Sequence, residues 1–415
     1  MFLRPNSILT YSLVILFGAS AWLSVNSIWV ELPLLVDFLP EGWNLPAYLA
    51  VIVQITNIGP LVYGLLKKAT NLNLPLAPII VILLIFDVVC HVLLAIFWDK
   101  TAKIGSSDRS VGLFAVFFGM SLVDCLSDVV FIPYMAMLRP QFITAFFIGV
   151  SFSAFIPSIV SLIQGSGSID CLRNSSNASS HSLYPVQVDP LFSFQLFNVF
   201  MVISLCISLA AFVLLHWWPK IRNNRVDSVT VFHLNTVKEK DHFPTINYIF
   251  ILVCTSIVCA LMNGIIPQVQ SYAALPYGQL TYHLAVTLGN IAHPIGSFIP
   301  IFLLVSSKIG LFILLLIACI FSAYIILLAS LSPAPFLLHS LWGSFIRVIV
   351  SIFTIGVLAY LRAAMAAIVR KASGDSEGRL FWLGAFSQIG SFVGAMIMFP
   401  LISVKHVFKS GPQCK

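Results

Sequence analysis

The chain has 415 residues, of which 59% are hydrophobic and only 9% charged. A water-soluble domain carries about 25% charged residues, so a protein free in solution is excluded and repeated crossing of a bilayer is indicated. The formal charge of +7 does not suggest nucleic acid, because the basic residues are scattered through short segments with no basic, aromatic-interleaved stretch; it suggests orientation in a membrane.

A spanning helix needs about 20 mostly apolar residues. Eleven such runs follow in chain order: Ile8–Val30, Leu45–Leu66, Leu76–Trp98, Val111–Leu138, Phe142–Ile163, Phe192–Trp218, Ile246–Pro267, Leu280–Val305, Ile309–Leu331, His339–Ala364 and Leu380–Leu401. The first is too long for a signal peptide and lacks its small-residue cleavage pattern. Nothing alternates as a barrel strand would. The expected fold is therefore an all-α polytopic membrane protein. Lys and Arg concentrate in the segments that share a side with the N-terminus, including Lys67, Lys68, Lys220, Arg222, Arg225, Lys238, Lys240, Arg370, Lys371 and Arg379. That bias predicts a cytosolic N-terminus and an extracellular C-terminus. The same topology puts two glycosylation sequons outside, at Asn174 and Asn177. Residues 219–245 form a polar cytosolic linker suited to the anionic inner leaflet. It divides a six-helix half, 1–218, from a five-helix half, 246–415.

The halves echo each other. Asn26-Ser-Ile-Trp-Val-Glu31 matches Asn263-Gly-Ile-Ile-Pro-Gln268, and LPEGWNLPAYLAV (Leu39–Val51) matches LPYGQLTYHLAV (Leu275–Val286). Both repeats run outward and return, so they are parallel repeats of the major-facilitator kind, with a substrate site between them near the midplane. A 6+5 arrangement resembles the equilibrative nucleoside transporters, by analogy of fold alone.

Charges inside a bilayer cost about 2.5–3.5 kcal/mol each on insertion scales and normally face a cavity or a partner. In this architecture the first, fourth, seventh and tenth spans line the cavity, and the polar residues follow them: Asn26 and Glu31; Asp124 and Asp128; Asn263, Gln268 and Gln270; Arg347 and Arg362. Pro33 fits a helix ending just after Glu31. Asp124 and Asp128 share a helix face; they suit a proton or substrate site, or a structural pairing with basic residues. Asp87 and His91 on the third span read as a structural pair. Depth suggests an outer Glu31–Arg347 pair and an inner Asp128–Arg362 pair that open in alternation. His283 and His293 lie on the eighth span; His283 suits either a pH-sensitive group near the outer mouth or a hydrogen-bonded interhelical residue.

The stretches GASAWLSVNSIWVELPLLVDFLPEGWNLPAYLAV (Gly18–Val51), SLVDCLSDVVFIPYM (Ser121–Met135), MNGIIPQVQSYAALPYGQLTYHLAV (Met262–Val286) and QIGSFVGAMIMFPL (Gln388–Leu401) closely resemble the riboflavin transporters, solute carrier family 52. The resemblance runs over nearly the whole chain. It implies a plasma-membrane carrier for riboflavin that does not need sodium; response to acid pH varies within the family and is not carried over. The outer cysteines depart from vertebrate members, with Ala274 and Ala334 in their place. Cys171 and Cys414 remain in predicted outer segments, where a pair is compatible with an oxidising compartment; the other six cysteines read as small apolar packing residues.

Riboflavin is flat, uncharged at neutral pH, and carries an imide edge and a polyhydroxyl chain. It calls for aromatic faces and groups that both donate and accept hydrogen bonds. Trp22, Trp29, Tyr272 and Tyr282 are the aromatic candidates, against interfacial anchoring, the role preferred for Trp43. Asn26, Gln54, Asn57, Asn263, Gln268, Gln270 and Asn290 are the amide candidates, and Asn57 and Asn290 equally suit interhelical ties. No metal-ligand spacing or catalytic signature appears, so neither an enzyme nor a cofactor is expected. A nucleoside or another neutral heterocycle is the alternative substrate, and a monomer is the expected unit.

Overall fold

The first apolar run is two helices. α1 (Pro5–Gly18) and α2 (Leu23–Phe38) meet at a break over residues 19–22, bent by 55°. Trp22 takes the left-handed conformation there, with φ 66°, although no Gly or Pro occupies residues 19–22. Packing forces the break to this place. A Cβ on Gly18 would stand 2.5 Å from the Phe146 carbonyl oxygen, and one on Gly149 would stand 2.2 Å from that of Ile15. α1 is thereby clamped to the fifth span before the chain turns away.

The computed structural model describes residues 5–70, 75–105, 107–138, 141–165, 169–173, 183–187, 190–218, 244–338, 340–371 and 376–411. The second crossing is α3 (Leu45–Thr56) and α4 (Ile58–Thr70); α5 (Leu76–Phe97), α6 (Val111–Ala136), α7 (Gln141–Gln164) and α8 (Phe194–Trp217) follow. Two small antiparallel hairpins cap the connections: β1 (Ala102–Ile104) with β2 (Ser107–Arg109), and β3 (Ile169–Arg173) with β4 (Leu183–Gln187). The seventh crossing is α9 (Thr245–Cys259), a π-helical segment (Ala260–Ile265) and α10 (Ile266–Ala274). The last four are α11 (Gln279–Phe302), α12 (Lys308–Ser330), α13 (Leu341–Lys371) and α14 (Ser376–Ser403). Ten helices among the described residues are long and apolar enough to span; the bent pair makes eleven crossings. The fold is an all-α polytopic membrane protein.

Three expectations about helix ends are corrected. α2 does not stop near Val30 but runs through Pro33 to Phe38, so Glu31 lies in mid-helix. Pro33 removes the helical hydrogen bond to the Trp29 carbonyl, a loss that a membrane helix tolerates because neighbouring helices can satisfy freed backbone groups; Pro33's own carbonyl accepts from Gln279 Nε2 of α11. The seventh crossing continues past Pro267, which falls in the first turn of α10, where a missing N–H costs little. α13 extends to Lys371, placing Arg362 inside the helix.

Glu41 in the Leu-Pro-Glu-Gly stretch serves the fourth crossing. Its carboxylate accepts from Ser110 N (2.9 Å) and Ser110 Oγ (2.6 Å) at the start of α6, a negative charge at a helix N-terminus. Small residues let backbones approach in the second part of the chain as well. A Cβ on Gly390 would lie 2.1 Å from the Ser256 carbonyl oxygen, and one on Gly394 would lie 2.5 Å from that of Ala260. Such close approach supplies much of helix association in lipid.

Elements α1–α8 pack mainly on one another, as do α9–α14. The two sets meet where α2 touches α11, α3 touches α10 and α14, and α7 touches α11. Here Ser271 Oγ donates to the Trp43 carbonyl (2.8 Å) and Tyr272 Oη to Asn44 Oδ1 (2.7 Å).

Gly149→Ala should force α1 off α7, an overpacking that costs about 1–3 kcal/mol. The thermal midpoint of the detergent-solubilised protein should fall by several degrees. Gly384→Ala, where an added Cβ meets nothing within 4 Å, should leave it unchanged or raise it.

Candidate functional site

The break in the first span leaves the amides of α2's first turn without helical partners. One of them, Val25 N, is met by a side chain of another helix, and two side chains at the break are met in the same way. Asp124 Oδ2 accepts from Val25 N at 2.8 Å, and Asp128 Oδ1 accepts from Trp22 Nε1 at 3.0 Å. Ser24 Oγ lies 2.8 and 2.7 Å from the two oxygens of Asp87. Three carboxyl groups from α5 and α6 thus converge on consecutive turns around one break. Asp124 is 1% exposed and its Oδ1 has no hydrogen-bond partner.

Asn26 and Asn263 hold equivalent positions. Asn26 Nδ2 donates to Ser153 Oγ (3.2 Å), 127 residues on, and Asn263 Nδ2 donates to Ser391 Oγ (3.1 Å), 128 residues on. Both asparagines are half-buried. Each is fixed at its Nδ2 and retains a carbonyl oxygen to offer. Asn26 lies just past the break, and Asn263 lies within the π segment, an element frequent at functional sites. Trp22, Trp29, Asn57 and Gln270 are likewise half-buried.

Other candidates are shut away in this conformation. Gln268 is fully buried and donates to the carbonyls of Gly264 (2.9 Å) and Ala395 (3.2 Å). Tyr272 is in edge contact with Trp43, with ring centroids 5.7 Å apart. Glu31 is 0% exposed, and neither carboxyl oxygen forms a hydrogen bond; Ser161 and Gln164 of α7 are the polar side chains that reach toward it. Arg347 is also 0% exposed. Its Nη1 donates to Ser351 Oγ while Nε and Nη2 are unpaired. Tyr277, Tyr282 and Tyr324 surround it. The Tyr282 hydroxyl, His283 Nδ1 and Gln279 Oε1 are buried without partners nearby in sequence on α11.

Toward the break, Arg362 acts electrostatically on both Asp128 of α6 and His293 of α11. Gln54 is buried and accepts from Asn57 Nδ2 at 3.2 Å, and Asn57 Oδ1 accepts from Cys125 Sγ at 3.1 Å. Asn57 is therefore an interhelical tie between α3 and α6. Asn290 keeps an unpaired, buried Nδ2. Neither Glu31–Arg347 nor Asp128–Arg362 is an ion pair. The outer pair is corrected outright: each of its members is enclosed by different neighbours, Glu31 by α7 and Arg347 by tyrosines. No group of three His, Cys, Asp or Glu among the described residues is arranged to hold a metal. Asn174, Asn177 and Cys414 lie outside the described residues, and Cys171 is placed by its backbone in β3.

Sequence reading passed over Ser24, Ser153, Ser391, Asn198 and Gln279. Ser153 and Ser391 carry one usable signal: shifting the fifth span by the offset that relates Asn26 to Asn263 brings these two serines nearly into register.

Two solved structures share the fold. A bacterial homologue of the human lysosomal transporter Spinster, in an inward-facing, unoccupied conformation, aligns with a TM-score of 0.51 at 15% identity, covering 96% of this chain and 82% of that one. The nucleoside transporter NupG aligns with a TM-score of 0.51 at 13% identity, covering 96% and 90%. In sequence, the chain is 39% identical to riboflavin transporter rft-1 of Caenorhabditis elegans, covering 98% of this chain and 99% of that protein. It is 35% identical to solute carrier family 52, riboflavin transporter, member 3-B of Danio rerio, with coverage of 98% and 99%. To the Homo sapiens member 3 it is 32% identical, with 98% of each chain covered. The profile of solute carrier family 52, riboflavin transporter, matches residues 6–410. With the helix break, the paired asparagines and the carrier fold beside these similarities, the chain belongs to solute carrier family 52, a family of solute transporters rather than enzymes.

Proposed function

We propose that this protein carries riboflavin into the cell across the plasma membrane by alternating access, as a monomer and without sodium. The family match over residues 6–410 carries the reading. The two helix sets rock about the polar zone between them, as in other carriers built from repeats. With the N-terminus in the cytosol, the end closed by α2, α3, α10 and α11 faces outward, and the conformation described is closed to the outside. The unpaired groups of Glu31, Gln279, Tyr282, His283 and Arg347 support this reading. Each buried polar atom without a partner costs about 1–3 kcal/mol, a penalty that is relieved when the outer end opens to water and substrate.

In this scheme Trp22 and Trp29 offer ring faces to the isoalloxazine, and the carbonyl oxygens of Asn26 and Asn263 meet its imide and hydroxyl groups. Gln270, Asn290, His293 and Arg362 line the same space. Gln54 and Asn57 hold α3 against α6. Glu31, Gln268, Tyr272 and Tyr282 act at the outer closure.

Cells expressing the full chain should take up labelled riboflavin saturably. Excess unlabelled riboflavin should suppress this uptake, nucleosides should not, and replacing sodium by choline should change nothing. Equal suppression by nucleosides would reassign the substrate. Trp29→Ala should raise the half-saturation concentration at unchanged surface expression, since stacking on an aromatic ring is worth about 1–3 kcal/mol, or roughly 5- to 150-fold. Trp29→Phe should recover most of the loss. Glycosidase treatment should increase the gel mobility of the wild-type chain but not of Asn174→Gln/Asn177→Gln; identical mobility in all samples would contradict an outer location for this loop.

A further inference from the structure

Asp87 and His91 share a partner that the sequence does not announce. Ser24 Oγ, in the first turn of α2, lies 2.8 and 2.7 Å from the two Asp87 oxygens and 3.1 Å from His91 Nε2. On the other side of the ring, His91 Nδ1 lies 3.1 Å from Asn198 Oδ1 of α8. Ser24, Asp87 and His91 are 0% exposed and Asn198 is 1% exposed.

The available hydrogens restrict what this chain of groups can be. Asn198 Nδ2 donates to the Phe194 carbonyl at 2.9 Å, so the atom facing His91 is the amide oxygen, which can only accept. Nδ1 must carry a hydrogen. Ser24 has one hydrogen and two partners. With Asp87 ionised and His91 neutral, the serine hydrogen goes to Asp87. Nε2 then turns a lone pair toward an oxygen with nothing left to give. Two arrangements satisfy every group. In one, the Asp87 carboxyl donates to Ser24 Oγ and the Ser24 hydroxyl donates to Nε2. In the other, the Ser24 hydroxyl donates to Asp87 and a protonated Nε2 donates to Ser24. Each holds one proton more than the unsatisfied form, and they differ only in which end holds it.

We propose that Asp87, Ser24 and His91 form a proton-binding relay that couples one proton to the movement of the first span. The proposal rests on the carrier reading above. Loading adds one proton from water to Asp87 or to Nε2. Transfer breaks the Asp87 O–H bond and forms a Ser24 O–H bond, while the original serine proton passes to Nε2; the reverse sequence unloads it, and no electrons move between groups. Ser24 belongs to α2, whereas Asp87 and His91 belong to α5. A change in the 55° angle between α1 and α2 therefore makes or breaks the relay.

The surrounding ionisable groups are Cys90 on α5, Asp124 and Asp128 on α6, and Cys125 beside them. α8 presents the neutral Asn198. The cation in this region, Arg362 of α13, acts on Asp128. Asp124, with its unpaired Oδ1, adds a second carboxyl group next to the relay. The absence of a three-ligand group among the described residues favours a proton over a metal ion.

The test uses the purified full-length chain in proteoliposomes with labelled riboflavin. An imposed gradient, acid on the side from which substrate enters, should drive accumulation of up to about tenfold per pH unit for one proton per substrate. A protonophore should abolish it. Asp87→Asn, His91→Gln and Ser24→Ala should each reduce accumulation to the equilibrium ratio while retaining exchange of labelled for unlabelled riboflavin, which also shows that they are folded. Exchange by the wild-type chain with no response to the gradient overturns the relay and leaves the carrier reading standing. Gradient-driven accumulation that survives Asp87→Asn also overturns the relay. No riboflavin exchange by the wild-type chain overturns the carrier reading and the coupling built on it.

Discussion

Backbone amides inside a bilayer have no water to turn to, so each must be satisfied within the protein. In this chain that demand is sharpest at the bend between α1 and α2. Clamping of α1 to α7 through Gly18 and Gly149 directs the chain away, and the first turn of α2 then needs acceptors. Asp124 supplies one to Val25 N, and Asp128 and Asp87 bond the Trp22 and Ser24 side chains at the same break. The acidic residues that look incongruous in apolar helices are partners of groups at the broken helix. Their arrangement also gives the region its chemistry, because groups that hold a bend together must exchange partners whenever the bend changes.

The corresponding place in the later helices is handled with neutral groups. The seventh span keeps its continuity through a π segment, and Asn263 reaches Ser391 much as Asn26 reaches Ser153. One repeat therefore carries carboxyl groups where the other carries amides and hydroxyls, a division already foreshadowed by Glu31 facing Gln268 in the alignment. The buried carboxyl groups belong to the first, and the second contributes Arg347, Arg362, His283 and His293.

Most of the architecture was legible because lipid imposes long apolar runs, and these give helix number and approximate ends directly. The break was not legible: Ala-Ser-Ala-Trp, residues 19–22, contains no residue that interrupts a helix by its own preference, and the cause lies over a hundred residues away at Gly149. Pro33 points in the opposite direction: it suggests a helix end, yet a membrane helix packed among neighbours can carry a proline in its interior at the loss of one backbone hydrogen bond. The polar candidates were recognisable by type, but their partners were not. Asp87 and His91 appeared as a local pair on one face, while the groups that give them meaning, Ser24 and Asn198, come from two other helices. The expected Glu31–Arg347 ion pair does not form in this structure; similar depth along the membrane does not specify the angular position that determines which neighbours each side chain meets.

The π segment bears on that angular position. One additional residue in a helical turn rotates everything beyond it by about 100°. Gln268, Gln270 and Tyr272 therefore lie on faces that a regular helical wheel drawn from Thr245 assigns to other directions. Removing a single residue between Ala260 and Ile265 would leave composition and hydropathy almost untouched, yet it would shift the phase of the whole outer part of the seventh span. Comparisons among relatives should accordingly treat a one-residue gap in this stretch as a rotation of the surface offered to the partner helices, even where every polar residue is retained.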